Sequence, residues 1–275
     1  MVEAGKSEDV AGSWAERLRA EPKQMPAIDL YAGRGLVEAR RAAEHAAVRL
    51  AIISAGLGLV AGETEVPAYS LTTISGDPDD IRLKTAADRP DWWEAIQKAS
   101  PFAASDPRDS DGLIFAAVSS AYLDMVGAEW SRWSDADLAR LRLFSKAPPR
   151  DKARRLRSAW MPYDDRLDAI AGLAGTQGDF AQRAMRHFAT EIRCGSQDGD
   201  AAAVLAALAP LPRRARPVNR RLDDAGIKAA IREEWARARG QSAAMLRHLR
   251  DALGLACEQG RFRTLFNEVK AEKLS

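Results

Sequence analysis

Cysteine and histidine are scarce in this sequence. Among its 275 residues the only cysteines are Cys194 and Cys257, and no Cys-x-x-Cys pair occurs. Two cysteines are too few for a disulfide framework. The three histidines, His45, His187 and His248, are scattered and give no zinc-ligand spacing. The sequence therefore assigns no metal, and it identifies no cofactor.

Long apolar runs are also missing. No stretch of about 18 apolar residues is present that would span a bilayer. The first residues, MVEAGKSEDVAGSW, lack the apolar centre of a signal peptide. We therefore expect a cytoplasmic protein without membrane contact. Apolar residues still make up 46% of the chain, enough for the core of one large domain or two modest ones.

Charge is unevenly distributed along the chain. The formal net charge is +2, yet residues 210–275 hold 15 Lys or Arg against 8 Asp or Glu, a net of +7. The remainder is acidic. A basic segment on an acidic body is typical of contact with a polyanion such as DNA. The alternative is a solvated surface rich in arginine.

The apolar and turn patterns predict an α/β domain over 26–198, after a loose leader over 1–25 with one short helix. Residues 27–31 and 50–53 fit strands on either side of a helix at 35–48, an order typical of a parallel sheet. Further predicted elements are helices over 90–100 and 176–192, a strand that becomes a helix near Ser119, and a segment at 138–145 that fits a helix end or a strand.

Residues 199–275 are predicted to form a second, basic, all-α module. A helix at 200–211 and a basic arm at 212–221 precede three helices, the first ending near residue 239. Three helices with short joints fit a helix-turn-helix or winged-helix-like module. The alternative is a bundle for dimerisation or docking. The candidate DNA-binding residues are Arg213, Arg214, Arg216, Arg220, Arg221, Arg261, Arg263, Asn267 and Lys270.

A glycine-rich stretch, RLAIISAGLGLVAGETEVPAY, occupies residues 49–69. Gly56, Gly58 and Ala61 have the spacing of a dinucleotide-binding loop, but that loop needs a helix directly after it. Gly62 and Pro67 leave no room for one. A P-loop lysine and a Gly-x-Ser-x-Gly elbow are missing as well. The stretch therefore fits none of these three sites.

The polar residues near this stretch still suggest a site. If the strands at 27–31 and 50–53 are parallel neighbours, the loops after them meet at one carboxyl edge, where α/β sheets bind ligands. His187 is a further candidate, as a general base or as a structural histidine. The candidate catalytic residues are Ser54, Glu63, Glu65 and Tyr69, and the candidate ligand-binding residues are Tyr31, Gly33, Arg34, Gly56 and Gly58.

Three short motifs together resemble the YaaA superfamily. They are LYAGR at 30–34, SAGLGL at 54–59 and PAY at 67–69. The superfamily includes peroxide-stress proteins and domains found near DNA-modification and phage-defence genes. The resemblance covers roughly residues 26–75. It implies an α/β domain with a cleft, and a link to DNA, but no particular reaction.

Three functions remain open at this point. The first is a DNA-associated protein of a modification, defence or stress system, with a nucleobase or nucleotide in the N-terminal cleft and DNA on the C-terminal module. The second is an enzyme that transfers or cleaves at a nucleobase or nucleotide, with a carboxylate near the reacting atom. The third is a non-enzymatic interaction protein, a homodimer or the partner of a defence-system protein.

Overall fold

The chain forms two compact units, Met1–Arg213 and Arg214–Ser275, called unit 1 and unit 2 below. The computed structural model describes residues 5–22, 25–73, 77–85, 89–192, 195–213, 220–238 and 240–274. Helices dominate both units, and the described strands pair into small two-stranded sheets. The protein is therefore a mixed helix-and-sheet structure.

The boundary between the units lies further along the chain than the sequence pattern suggested. Helix α9 (Gln197–Leu208) follows the expected boundary after residue 198, yet it belongs to unit 1. Its Val204 and Leu208 are fully buried in a core of unit 1, which fixes the helix there. The burial of the apolar side chains of α9, rather than the charge of the following segment, therefore sets the end of unit 1.

The first helix is longer than the short helix expected inside a loose leader. Helix α1 spans Ser7–Ala20 and buries Val10, Ala11 and Leu18 on one side. This stripe packs on helix α5 (Arg89–Ala99), whose Trp92 and Trp93 are almost fully buried. The N-terminal segment is therefore part of the unit 1 core.

The predicted parallel pair of strands at 27–31 and 50–53 is wrong. Residues 27–30 form a single helical turn, α2 (Ala27–Leu30), after the short strand β1 (Met25–Pro26). Strand β2 (Ala51–Ser54) instead pairs antiparallel with β3 (Gly58–Ala61), so that Ser54 lies opposite Gly58. Strand β4 (Glu65–Val66) then pairs antiparallel with β1.

Local backbone geometry explains this outcome. Gly58 has a φ of 74°, a conformation that glycine adopts without strain, and it closes a three-residue hairpin loop. The partner of β2 is therefore the next segment of the chain, and no helical crossover is needed. The amides of Ala27 and Ile28 donate to Thr64 O and Gly62 O at 2.8 and 2.9 Å, which docks α2 against the hairpin.

A parallel strand pair does occur, later in unit 1. Strand β5 (Ile114–Ala117) pairs with β6 (Leu141–Phe144), and the crossover between them consists of α6 (Ser120–Trp130) and α7 (Asp135–Arg140). The Ser119 side chain accepts from Tyr122 N and caps α6. The segment at 138–145 thus contains both a helix end and a strand.

The remaining helices of unit 1 cover this parallel pair. Helix α3 (Arg34–Ala46) packs against α8 (Phe180–Glu191), and Arg186 Nη1 donates to Glu38 Oε2 at 2.6 Å between them. Phe144, Phe180 and Phe188 are buried in the core that α3, α8 and α9 share. The shorter helical segments are α4 (Ile81–Lys84) and the 3₁₀ turns at Pro107–Asp109, Asp151–Arg157 and Asp165–Ala169.

Unit 2 contains the three helices that the sequence predicts after residue 223. They are α10 (Asp224–Glu233), α11 (Ser242–Asp251) and α12 (Gln259–Leu274), so the first ends earlier than residue 239. Their core includes Ile231, Leu249 and Phe262. Strand β7 (Arg220–Arg221) pairs parallel with β8 (Leu255–Ala256). Across the described ranges of both units, no helix combines the length and apolar character that a membrane crossing requires.

Candidate functional site

Three motif side chains that are distant in sequence meet in unit 1. The Tyr69 hydroxyl hydrogen-bonds to both the Tyr31 hydroxyl and the Ser54 hydroxyl. Tyr31 follows α2, Ser54 ends β2, and Tyr69 lies on the segment after β4. We call Tyr31, Ser54 and Tyr69 the hydroxyl cluster. It brings together one residue from each of the three short motifs.

Ser54 has three hydrogen-bond partners, which together define its role in the hydroxyl cluster. Its Oγ accepts the backbone amides of Gly56 at 3.2 Å and Leu57 at 3.0 Å. A serine hydroxyl has two acceptor lone pairs and one proton, so the proton is left for the Tyr69 oxygen. Ser54 is also 1% exposed. A buried hydroxyl with both lone pairs engaged holds the turn and is poorly placed to attack a substrate.

The hairpin loop is buried, and its polar groups are satisfied by side chains. Trp92 Nε1 donates to Ala55 O at 2.8 Å, Trp14 Nε1 to Gly56 O at 2.7 Å, and Ser100 Oγ to Leu57 O at 2.7 Å. The sequence interpretation placed exposed amides here for a ligand. The structure corrects this, because Ser54 accepts two of these amides and buried backbone groups need such partners.

The two glycines proposed as ligand-binding residues are packed against protein atoms. A Cβ on Gly56 would lie 2.4 Å from Tyr69 Cε2, and a Cβ on Gly58 would lie 2.2 Å from Gln97 Oε1. Gln97 Oε1 also accepts the Leu59 amide. Both glycines therefore allow side chains to approach the loop closely, and the space beside them is filled.

Burial keeps the phenols of this region protonated. It raises the pKa of Tyr31, and it raises the pKa of Tyr69 well above the ordinary value, with the neighbouring Tyr31 adding to the shift. Burial also raises the pKa of Tyr122. At neutral pH these side chains are neutral hydroxyls that donate and accept hydrogen bonds.

Tyr122 is the functional candidate that the sequence analysis missed. It lies in the first turn of α6, just beyond the carboxyl end of β5, and its hydroxyl interacts with the Ala55 backbone and the Thr73 side chain. Tyr122 therefore brings a residue that follows the carboxyl end of the parallel strand β5 to the hairpin loop. No local spacing links Tyr122 to the motifs, since only the fold places it beside them.

Glu63 and Glu65 do not join the hydroxyl cluster. Both are exposed, and they follow Ala61, which pairs with Ala51 at the opposite end of the hairpin from Ser54. Three strand residues correspond to roughly 10 Å. Glu65 lies opposite Pro26 in the β1–β4 pair. Neither carboxylate is positioned to act on a group bound at Ser54.

Gly33 and Arg34 lie at the start of α3. Gly33 is exposed, its φ of 167° is ordinary extended backbone, and a Cβ there would meet no atom within 4 Å. Arg34 donates to Ala174 O, and its Nε lies 3.4 Å from Asp179 Oδ2. Arg34 thus links α3 to the segment that precedes α8, with about half of its side chain exposed.

The polar residues of α8 serve tertiary structure. Burial would raise the pKa of Asp179, but the Arg183 guanidinium, which donates to Asp179 Oδ1 at 2.7 Å, and further partners lower it below the usual range. His187 is buried, with Nδ1 2.8 Å from the Tyr163 hydroxyl. Burial lowers its pKa. Its partner is a core phenol, which favours the structural alternative for His187.

Comparison with protein-family models, with curated proteins and with solved structures found no match. The resemblance to the YaaA superfamily therefore rests on the three sequence motifs alone. Within the described ranges, no group of three His, Cys, Asp or Glu side chains is arranged as a metal site.

In unit 2, several basic side chains are neutralised by ion pairs. Arg261 Nη2 lies 2.6 Å from Asp224 Oδ1, and it also donates to Leu222 O at 3.0 Å. Arg232 pairs with Glu272 at 2.8 Å, and Lys228 pairs with Glu268. Arg261, predicted as a DNA contact, is therefore engaged within unit 2, where it holds α12 to the start of α10.

Other basic side chains of unit 2 are exposed and make no ion pair with a described residue. Arg263, Asn267 and Lys270 are spaced by four and three residues, which places them on one exposed face of α12. Arg220 and Arg221 are exposed on β7. Arg213, at the end of unit 1, is exposed too. Arg214 and Arg216 lie outside the described residues.

A groove of about 520 Å³ adjoins the α12 face. Arg247 and Arg250 line it from α11, and Phe262 and Arg263 line it from α12. Arg250 Nη2 donates to Cys257 O at 2.7 Å, which fixes its position. Asp251 is the acidic residue among the side chains that line this groove. Arg263 belongs to both the groove and the α12 face, so the two form one continuous basic surface.

Proposed function

We propose that this protein is DNA-associated, that unit 2 contacts DNA through α12 and its groove, and that unit 1 binds a nucleobase or nucleotide. A setting in a bacterial modification, anti-phage defence or stress system, and membership of the YaaA superfamily, are part of the same proposal. One observation carries it: Arg247, Arg263 and Lys270 form no ion pair with a described residue and share one surface, while other cations of unit 2 are neutralised.

The chemistry of that surface suits a duplex. Lysine and arginine side chains without acidic partners neutralise phosphates and release counterions. Asn267 lies between Arg263 and Lys270 on α12, and asparagine and arginine can bond base edges in the major groove. A helix-turn-helix or winged-helix-like arrangement remains part of the proposal. The connection from α11 to α12 has seven residues, against the about three to four of a tight helix-turn-helix.

Fluorescence anisotropy with a labelled duplex of about 20 base pairs tests the proposal. In the double variant Arg263→Ala/Lys270→Ala we expect affinity to fall at least tenfold. The salt dependence should flatten by about two phosphate contacts, since each contributes about 0.9 to the log–log slope. Lys228→Ala/Arg232→Ala is the matched control, because it removes the same charge from ion-paired positions, and its affinity should stay within about threefold.

Two results would overturn the DNA proposal. One is the absence of salt-dependent binding by the unaltered chain. The other is an equal loss in the two double variants, which would indicate a response to net charge alone. A complex with a second protein in the absence of DNA binding would instead support the interaction-protein alternative.

The enzymatic alternative has weaker support in the geometry. Ser54 has both lone pairs engaged, and Glu63 and Glu65 lie at the far end of the hairpin. The phenols of Tyr31 and Tyr122 are neutral and already interact within the protein, with Tyr69 and with Ala55 and Thr73. We therefore propose recognition of a nucleobase or nucleotide in unit 1, without a reaction.

A further inference from the structure

A cavity of about 260 Å³ lies in unit 1, on the side of the hairpin loop where α1 and α5 pack. Val10, Trp14 and Arg17 line it from α1, and their spacing of four and three residues puts them on one helix face. Asp79 and Lys84 line it from the segment around α4. This volume lies just below the roughly 300–1,000 Å³ of typical ligand pockets, so the cavity has room for no more than one small ligand.

The walls of this cavity are held in place. The indole nitrogen of Trp14 donates to Gly56 O at 2.7 Å, and that of Trp92, which also lines the cavity, donates to Ala55 O at 2.8 Å. In the segment around α4, Thr72 N donates to Asp79 O at 3.0 Å, and Ile81 N donates to Thr72 O at 2.9 Å. The two indoles and the backbone that carries Asp79 are therefore held in place.

Two cations and one carboxylate line the cavity. Arg17, Asp79 and Lys84 share its lining, yet none has a side-chain hydrogen bond or ion pair with another residue in the described ranges. Next to them, Asp80 is locked to Arg82, whose Nη2 lies 2.6 Å from Asp80 Oδ2. As far as the described residues go, the two cations and the Asp79 carboxylate are thus available to bind a ligand.

We propose that this cavity binds one nucleoside monophosphate unit, with its phosphate between Arg17 and Lys84 and its base against the Trp14 side. Asp79 supplies an acceptor for a sugar hydroxyl or a base amine. Proteins recognise nucleotides by combining aromatic surface for the base with cationic side chains for the phosphate. This inference rests on the proposed function, because it locates the nucleotide that unit 1 is proposed to bind. The unit is either a free nucleotide or one nucleotide of a single strand.

Isothermal titration calorimetry on the full chain tests the site. The ligands are the four deoxynucleoside 5′-monophosphates, the matching nucleosides, inorganic phosphate and a single-stranded pentanucleotide. We expect a monophosphate to bind, and its nucleoside and inorganic phosphate each to bind at least tenfold more weakly. Tighter binding of the pentanucleotide identifies the ligand as part of a strand, whereas tighter binding of the monophosphate identifies a free nucleotide.

Variants locate the binding. Arg17→Ala and Lys84→Ala should each weaken monophosphate binding by about tenfold or more, as expected for a lost charge-assisted hydrogen bond. Lys98→Ala is the control, because Lys98 is an exposed cation at the end of α5 that does not line the cavity. Its affinity should be unchanged. Near-UV circular dichroism of each variant verifies that the tryptophan packing is intact.

The result that overturns the inference is monophosphate binding that is as tight in Arg17→Ala and Lys84→Ala as in the unaltered chain. The absence of binding by every nucleotide and by the pentanucleotide overturns it too. Duplex binding through α12, measured in parallel, separates the two proposals: retained duplex binding without nucleotide binding removes the cavity proposal and leaves the DNA proposal standing.

Discussion

Replacing Gly56 with alanine should destabilise unit 1 through one specific contact. The new Cβ would lie 2.4 Å from Tyr69 Cε2 and 2.8 Å from Tyr69 Cδ2, where ordinary contacts are 3.4–4 Å. Gly56 is not among the residues with positive φ, so the backbone itself tolerates alanine. The ring must therefore retreat, although its hydroxyl is bonded to Tyr31 and Ser54.

The size of the effect follows from two contributions. Overpacking a well-packed interior costs about 1–3 kcal/mol, and each buried hydrogen bond that the ring gives up costs about 0.5–1.5 kcal/mol. With two such bonds we expect a loss of about 2–6 kcal/mol in the free energy of unfolding. Gly33→Ala, at a motif glycine with open space around its Cα, should cost less than about 1 kcal/mol.

Urea denaturation followed by tryptophan fluorescence measures both variants. Six of the seven tryptophans belong to unit 1, so the signal reports mainly on that unit. Gly56→Ala in a Tyr69→Ala background should cost little, because the ring that it strikes is gone. The reasoning fails if Gly56→Ala is as mild as Gly33→Ala, or if it costs the same with and without Tyr69.

Two further predictions concern buried charge and pH. Asp200→Ala should lower the free energy of unfolding by about 3–5 kcal/mol in thermal or urea denaturation, because it leaves the buried Arg142 without its carboxylate partner. Arg142 Nε donates to Asp200 Oδ2 at 2.5 Å, and both side chains are 1% exposed. The control Glu94→Ala removes an exposed ion pair and should cost less than about 1 kcal/mol, and similar losses in the two variants would contradict this prediction. Burial lowers the pKa of His187, so as the pH falls the unfolded chain binds a proton at this residue before the folded chain does. The free energy of unfolding should therefore decrease below about pH 6.5, by up to about 1.4 kcal/mol per pH unit. His187→Gln should show a shallower pH dependence, and parallel slopes for the two proteins would refute this prediction.

Several elements of the fold follow directly from local sequence. The helix starting near Ser119, the helix with Pro90 in its first turn and the three helices of unit 2 were all predicted. Each has a cap or an apolar stripe within its own residues, and such signals are independent of the rest of the chain. The mixed helix-and-sheet composition follows from the same signals.

Strand pairing could not be predicted in the same way. The apolar run at 50–53 fits a parallel or an antiparallel partner equally well, because the pattern of a short apolar run does not indicate the direction of the neighbouring strand. Gly58, with its positive φ, closes a tight hairpin, so that β2 pairs antiparallel with the adjacent strand β3. Residues 27–30, where a parallel strand was expected, form the helical turn α2, and the amides of Ala27 and Ile28 donate to carbonyls that follow the hairpin, those of Thr64 and Gly62.

The sequence by itself determined which residues are chemically distinctive: the tyrosines and Ser54 of the motifs, the glycines between them and the basic C-terminal segment. The tertiary structure decided what each of them does. In the folded chain, the amides of the hairpin loop donate to Ser54, and Tyr122 lies beside the hairpin. Trp14 and Arg17 line one cavity together with residues that are distant in sequence. The physical reason is that residue type sets what a group can donate or accept, whereas partners and exposure depend on contacts between distant segments.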